Sequence, residues 1–444
     1  MISNYIKLAW RVLGRNKFFS AITLFGISFT LAILMLIVSF LETEVGSTKP
    51  VSDRDKMVVL PYLHLSRQYY DTIFVYDTLI VDEEFVIDTT YNLEEAGSSN
   101  SNSQYAWWFL DRYFSDVDHV RDHTFFNSGT SFNAYVNNSK VEMNVIYADH
   151  GFWDVFDFRF REGFGFDDAT VDQESPVAIV TTDLADEYFG RRSGILGEEL
   201  IMNGRTYKVT GLIDPPGVSI LTFDIVVPRT LLDENSRGVE MGFGGYMASF
   251  VGEKSSDVEL IKESISVIES TIEIPAPAQE DFDRLRVNEQ SYHEIYADQI
   301  LDLDEPEDSL RVMKWVIISL LALFIILPAL NLINLNVSRI LERSSEIGVR
   351  KAFGAHQSII LTQFIIENVV QCLVGGIIGL GLATLLIYII NDVRLLGDVL
   401  LKVNFRFFFW SLLLAVVFGV VSGLLPAYRM SRLQIVSALK QNKL

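Results

Sequence analysis

Residues 18–41 read FFSAITLFGISFTLAILMLIVSFL, an apolar run without a single charge. A helix needs about 20 apolar residues to cross the hydrocarbon core of a bilayer. Three further stretches meet that length, at 313–337, 363–391 and 405–426. The polar segment 42–312 lies between the first and the second, and it alternates strand-like and helix-like patterns as a folded domain does. The spacing predicts an integral membrane protein of four transmembrane helices. An extracytoplasmic α+β domain of two lobes is inserted between helices 1 and 2, with lobe boundaries near 130 and 240.

The charge follows the same division. The chain has 36 Lys and Arg against 57 Asp and Glu, a net of −21. Segment 42–312 holds 20 basic and 52 acidic residues, a net of −32, and the remainder is +11. A phosphate backbone is bound by a basic patch, so an acidic domain on a basic anchor argues against nucleic acid as a partner. The short flanks set the orientation. Lys7, Arg11, Arg15 and Lys17 precede the first span. Arg339, Arg343, Arg350 and Lys351 follow the second, and Arg429, Arg432, Lys440 and Lys443 follow the fourth. In the outer loop 392–404, Arg394 and Lys402 are balanced by Asp392 and Asp398. The positive-inside rule then places both termini and segment 338–362 in the cytoplasm, with the acidic domain outside it.

The first run is longer than a signal-peptide core, and no small-x-small cleavage site follows, so it reads as an anchor. Residues 1–17 read as an amphipathic helix on the inner membrane surface, or as a simple positive flank. Cys372 is the single cysteine and sits in the third span, so disulfides and Cys-zinc chemistry are excluded from the outer segment.

Within 42–312 the pattern predicts an extended hairpin at 69–91, a loop at 97–103 (GSSNSNS) and a helix over 105–114. It also predicts a hairpin turning at Asn137-Asn138 and a strand then a helix at 177–189. A second hairpin turns at Asn203-Gly204, a pair suited to a type I′ turn. Strand, helix, strand follow at 246–251, 256–271 and 284–288, with Ser255 or Ser256 as the helix cap. Asp118-His119 with Asp122-His123 flank a turn in a very acidic domain, and a metal or acid/base site there is the lesser reading. The acidic clusters at 82–84, 94–95 and 302–308 lack the D-x-[DN]-x-[DN]-G calcium spacing and read as solvated surface. Trp107-Trp108 reads as core packing before it reads as a binding patch.

Residues 345–357, SEIGVRKAFGAHQ, follow the second span. Glu346 and Arg350 stand at i, i+4 in the favourable order on a short helix, and Gly354 can end it. Ile347, Val349 and Phe353 give that helix a partly apolar surface. By spacing it is a connector or a docking knob for a soluble partner.

The stretch EIGVRKAFGAHQSIILTQFIIENVV (346–370) resembles the signature of MacB/FtsX-type ABC transporter permeases. So do ALNLINLNVSRILERSSEIG (329–348), LVGGIIGLGLATLL (373–386) and PAYRMSRLQIVSALK (426–440). In the outer segment NVIYADHGFWDVFDFRFREG (144–163), SPVAIVTTDLADEYFG (175–190) and LGEELIMNGRTYKVTGLIDPP (196–216) are similar to three ordered blocks of the family. Met430 and Gln434 depart from its closing motif, and 60–105 is the weakest match. The resemblance implies a permease subunit of an ABC transporter working by mechanotransmission. ATP hydrolysis by a separate ATPase would move the periplasmic domain, for export or for extraction of a substrate. The alternative is a membrane regulator relaying ATPase state to a periplasmic cell-wall hydrolase.

Glu346, Ile347, Gly348, Val349, Arg350, Lys351, Phe353 and Gly354 would then form the ATPase-docking coupling helix. The chain itself has no G-x-x-x-x-G-K-[ST] phosphate loop. It is therefore expected to be no enzyme and to bind no cofactor, with ATP and Mg on the partner. Gly375, Gly376, Gly379 and Gly381 are helix-packing surface within a span. The resemblance also implies a dimer with a second permease protomer, like or unlike. Gly26, Ser28 and Ala32 are interface candidates because small residues at that spacing permit close helix approach. A periplasmic adaptor or hydrolase and the membrane lipid complete the expected partners. The expected location is the bacterial inner membrane.

Overall fold

The computed structural model describes residues 17–431, apart from 82–83, 128, 137–138, 218–220, 233–242, 276–277, 304, 343–348, 350–356 and 398. Its contacts form two compact units. One comprises Met1–Gly46 with Arg311–Leu444, and the other is Ser47–Leu310.

The described chain opens with helix α1 (Lys17–Glu44). The outer unit follows as strands and short helices. The strands are β1 (Met57–Leu60), β2 (Leu63–Val81), β3 (Glu84–Tyr105), β4 (Asp122–Asn127), β5 (Thr130–Val136), β6 (Ser139–Ala148), β7 (Phe160–Gly163) and β8 (Val177–Thr181). They continue as β9 (Glu199–Met202), β10 (Arg205–Ile213), β11 (Ile225–Pro228), β12 (Phe243–Gly244), β13 (Tyr246–Val251), β14 (Arg284–Val287) and β15 (Gln290–Ser291). The main helices of this unit are α2 (Trp107–Phe114), α3 (Thr182–Phe189), α4 (Asp257–Glu269) and α5 (Tyr292–Leu301). This is an α+β arrangement.

Among the described residues the strands form one sheet, along the path β14-β2-β3-β13-β4-β6-β11-β8-β10-β7. Most neighbours are antiparallel, but β8 with β10 and β6 with β11 run parallel. The parallel pair β8 and β10 encloses α3. Thr181 caps α3 by accepting from the Leu184 N–H, and Gly190 closes it in the left-handed conformation.

Away from the outer part of the β2–β3 hairpin both faces of the sheet are buried, and alternate residues of one strand enter opposite cores. Phe125, Val145, Tyr147, Val180, Leu212 and Phe250 lie in one core. Their chain neighbours Phe126, Ile146, Ala148, Ile179, Ile213 and Val251 lie in the other. The halves of the sheet meet at a narrow seam, since β4 pairs with β6 only at Phe126↔Ala148. The unit nevertheless forms one compact body, and both cores draw residues from both halves.

Three local expectations need correction. GSSNSNS is strand, not loop: β3 runs to Tyr105, and 98–103 pairs residue by residue with 63–68. A cross-strand partner overrides the low intrinsic β preference of Gly, Ser and Asn. The hairpin expected at 69–91 is correspondingly longer. The cap of α4 is not made by a serine side chain, because Ser256 makes no capping bond and Ser255 Oγ donates to Asp55. By contrast, Asn203 and Gly204 both have positive φ, 48° and 72°, as their hairpin turn demands.

After the outer unit come α6 (Pro306–Glu342), α7 (Gln357–Asp392) and α8 (Phe405–Ser431). Among the described residues, Ser20–Glu44 and Thr362–Asp392 are long and apolar enough to cross a membrane, and Phe405–Val421 is a shorter apolar helix. The amphipathic stretch expected at 1–17 lies outside the described residues except for Lys17.

Candidate functional site: the helix bundle and the stalk

Helices α1, α7 and α8 interlock through residues without bulk. A Cβ on Gly375 would stand 2.7 Å from Ile27 Cγ2, and one on Gly379 would stand 2.9 Å from the Ser28 carbonyl oxygen. Gly376 is filled by Leu412, and Gly419 by the Cys372 sulfur. Such glycines let backbones approach closely where lipid supplies no hydrophobic drive for association. Polar groups add directional ties. Asn368 donates to the Gly419 carbonyl at 3.2 Å, and the Cys372 thiol faces the Ala415 carbonyl at 3.5 Å.

The loop between α7 and α8 is fastened to the end of α1. Ser39 Oγ donates to the Lys402 carbonyl at 2.7 Å, and Asn404 donates to the Glu42 carboxylate at 2.5 Å. Asn391 both donates to the Leu401 carbonyl and accepts the Leu401 N–H. The carboxamide thus satisfies both polar groups of one residue.

The start of α6 is built from its own sequence. Pro306 suits a first helical position, and Glu307 and Asp308 place carboxylates at the positive end of the dipole. Ser309, fully buried, donates to Asp298 Oδ1 at 3.2 Å and accepts the Leu303 N–H. Asp298 lies on α5, which carries a complete capping box between Ser291 and Glu294. Lys262 of α4 reaches the same Glu294 at 2.7 Å, with both side chains largely buried. α4, α5 and the first turn of α6 are therefore one polar-linked block.

A polar cavity of about 500 Å³ opens beside this block, lined by Tyr62, His64, Asn102, Arg286, Asp298 and Glu305 among others. Burial, and then the Asp298 charge, raises the Tyr62 hydroxyl above its ordinary value. Among the described residues no cluster of three or more His, Cys, Asp or Glu is placed to hold a metal.

The sequence-predicted site residues fare differently. Glu346, Ile347, Gly348, Arg350, Lys351, Phe353 and Gly354 lie outside the described residues, and Val349 alone is described, exposed. Ser28 and Ala32 are buried within the protomer, Ser28 against Gly379 of α7. Their small size serves contact between helices of one chain, which leaves half-buried Gly26 as the least covered of the three. The outward row on α1 is instead Phe18, Ile22, Phe25 and Phe29, with Phe25 and Phe29 stacked at 5.4 Å. Sequence reasoning passed over this row, although its spacing of three and four was there to be read. Trp107 packs edge-on against Phe125 and Tyr246, with the Arg229 guanidinium 3.7 Å from its ring centre, so it is a core residue.

Apolar helices of spanning length joined to a sheet-based outer unit define an integral membrane protein with a large inserted domain. Residues 20–266, more than half the chain, match the MacB-like periplasmic core domain, and residues 318–435 match the FtsX-like permease C-terminal domain. The chain belongs to the MacB/FtsX-type ABC transporter permeases.

It is 25% identical over 305 residues to the macrolide export ATP-binding/permease protein MacB of Acinetobacter baylyi, covering 69% of this chain and 43% of that protein. It is 27% identical over 289 residues to the pyoverdine export ATP-binding/permease protein PvdT of Pseudomonas entomophila, covering 64% and 41%. Against the ABC transporter permease YknZ of Bacillus subtilis it is 24% identical over 318 residues, covering 71% and 74%. The chain thus spans about two fifths of the two exporters and about three quarters of YknZ. Among solved structures, the periplasmic region of MacB from Actinobacillus actinomycetemcomitans aligns with a TM-score of 0.34 at 14% identity, covering 45% of this chain and 84% of that one. A domain of a permease protein from Porphyromonas gingivalis aligns at 0.37 and 14%, covering 55% and 92%.

Proposed function

We propose that this chain is the membrane subunit of a mechanotransmission machine. A separate ABC ATPase binds ATP and Mg, docks on 346–355 and drives the permease, whose outer domain does the work of export or extraction. The observation that carries this reading is the length of α6, 37 residues. At 1.5 Å per residue that is about 55 Å, against about 30 Å of hydrocarbon. The helix starts in the polar-linked block of the outer unit and ends beside the segment proposed for docking. A push at one end therefore has one continuous helix along which to travel.

On this reading α6 is the second of four spans, at 313–337, with 18–41, 363–391 and 405–426 as the others. Both termini are cytoplasmic, and the outer domain faces the periplasm of a bacterial inner membrane. The outer domain flexes as two lobes about the Phe126↔Ala148 seam. Two protomers associate through the first and second spans, with Phe18, Ile22, Phe25 and Phe29 of α1 supplying the outward apolar row. The test is a spin-label distance between the outer domains of a reconstituted dimer with its ATPase. ATP should change that distance, and a distance indifferent to ATP overturns the reading.

A further inference from the structure

The ribbon formed by β2 and β3 leaves the body of the sheet. β14 pairs with β2 only along its first four residues, Leu63 to Ser66, and β12 and β13 meet β3 only at Gln104 and Tyr105. From Arg67 to Val81 and back from Glu84 to Ser103 the two strands pair with each other and, among the described residues, with no third strand. That length corresponds to about 50 Å of strand. A two-stranded ribbon with neither face covered is marginal in water, so an uncovered apolar face on one calls for an occupant.

The register sorts the side chains, because residues directly opposite in an antiparallel pair share a face. One face carries Tyr70, Thr72 and Phe74 opposite Glu95, Leu93 and Tyr91. The other carries Asp71, Ile73 and Val75 opposite Glu94, Asn92 and Thr90. All twelve are exposed, Phe74 at 56%, Leu93 at 59% and Tyr91 at 66%. The first face is thus an aromatic and aliphatic row with a carboxylate at its inner end, and the second is mixed and acidic. Over 68–98 the sequence has eight Asp and Glu and no Lys, Arg or His.

We propose that the Tyr70–Phe74–Tyr91–Leu93 face is a docking surface for a cationic protein, one that offers apolar side chains ringed by Lys and Arg. Interfaces of this kind have aromatic centres and polar rims, and matched potentials select the partner. Charge decides the class of occupant. A second copy would bring its own eight acids, on a segment of net −32, against these. An anionic lipid surface repels the ribbon for the same reason. A cationic protein gains from both the apolar row and the acids. The inference does not depend on the transport reading, since it uses only strands of the outer unit.

The test uses the full chain in zwitterionic nanodiscs and a labelled peptide of alternating Val and Lys, with its Val and Glu counterpart as control. Fluorescence anisotropy should show saturable binding of the Lys peptide alone. The triple variant Phe74→Ser, Tyr91→Ser, Leu93→Ser should weaken it by about tenfold or more, a difference plain in the dissociation constant. Unchanged affinity in that variant would mean general attraction to an acidic domain and would overturn the proposal. A second variant, Asp71→Asn, Glu94→Gln, Glu95→Gln, alters only exposed carboxylates and keeps the test decisive if the serine variant fails to fold. It too should bind about tenfold more weakly, and undiminished binding counts against the proposal. Two other outcomes also overturn it. One is self-association of the wild type, seen by sedimentation, that the serine variant loses. The other is preferential binding of anionic phosphatidylglycerol vesicles.

Discussion

Ser309 Oγ donates to Asp298 Oδ1 across 3.2 Å, and this bond fastens the first turn of α6 to the last turn of α5. Ser309 is fully buried and Asp298 half-buried, and Ser309 also takes the Leu303 N–H. The first turn of α6 is therefore held to α5 within the outer unit rather than leaving it as a free linker.

Inserting two or three glycines at 308–310 keeps every span intact but breaks this attachment, since glycine is disfavoured within helices by about 1 kcal/mol per residue. ATP hydrolysis by the docked ATPase should persist while outer-domain function disappears. Full function in the insertion variant, measured in cells against its own ATPase rate in membranes, would mean that force does not pass along α6.

Reversing Glu346 to Arg sets like charges at 346 and 350 and removes the favourable i, i+4 pair. Membrane insertion should be normal, and co-purification of the ATPase should fall. Equal recovery of ATPase with wild type and Glu346→Arg sinks the assignment of 346–355 as the docking segment.

Gly379→Leu forces a Cβ to within 2.9 Å of the Ser28 carbonyl oxygen and 3.2 Å of Leu31 Cβ. Overpacking of this kind costs about 1–3 kcal/mol. Thermal unfolding of the detergent-purified chain should occur earlier, whereas Gly381→Leu, where a Cβ meets nothing, should leave the midpoint unchanged.

Lys262→Met leaves the Glu294 carboxylate largely buried without its cation. Breaking a shielded pair from one side costs about 2–4 kcal/mol here, below the fully buried range because both side chains retain some exposure. Adding Glu294→Gln, which keeps the capping box, should recover most of the loss. No recovery in the double variant, by thermal unfolding, would refute the pairing argument.

Burial alone would raise the Asp53 carboxyl, but its bonds to Lys56 and Arg121 outweigh that and hold it below its ordinary value of 3.8. A lowered folded pKa contributes stability that is present above the unfolded value and is lost as pH falls through the folded one. Asp53→Asn should therefore lower stability at neutral pH and flatten the decline below about pH 4. Parallel pH profiles for the two proteins would contradict this.

Much of the architecture is legible in the chain because its signals are local. The apolar runs announce their own length, and Asn203-Gly204 fixes a turn that needs two positive φ angles. Non-local partners are where reading residues in order fails. Nothing within GSSNSNS says that it will lie against 63–68, where pairing makes it strand. Ser256 looks like a cap, yet the neighbouring Ser255 hydroxyl is engaged by Asp55, some two hundred positions earlier. Ser28 was read as a candidate for contact between protomers, and no pattern within 18–41 says that Gly379 of the same chain packs against it. The proposed docking segment 346–355 rests on its resemblance, and all of it but Val349 lies outside the described residues.

Phe126 and Ala148 have a consequence for how the outer unit yields under load. Every other junction along the main path of the sheet except the contact of β3 with β13 is stitched at two or more positions, whereas β4 and β6 share one. Across that line the single backbone rung is joined by the Asp149 carboxylate, which accepts from Thr124 Oγ1 and the Phe125 N–H, and by Phe126 packing on Phe152 and Phe156. On the proposed reading, a load reaching the outer unit would meet its sparsest backbone pairing at these two single-rung junctions, with side chains carrying the rest.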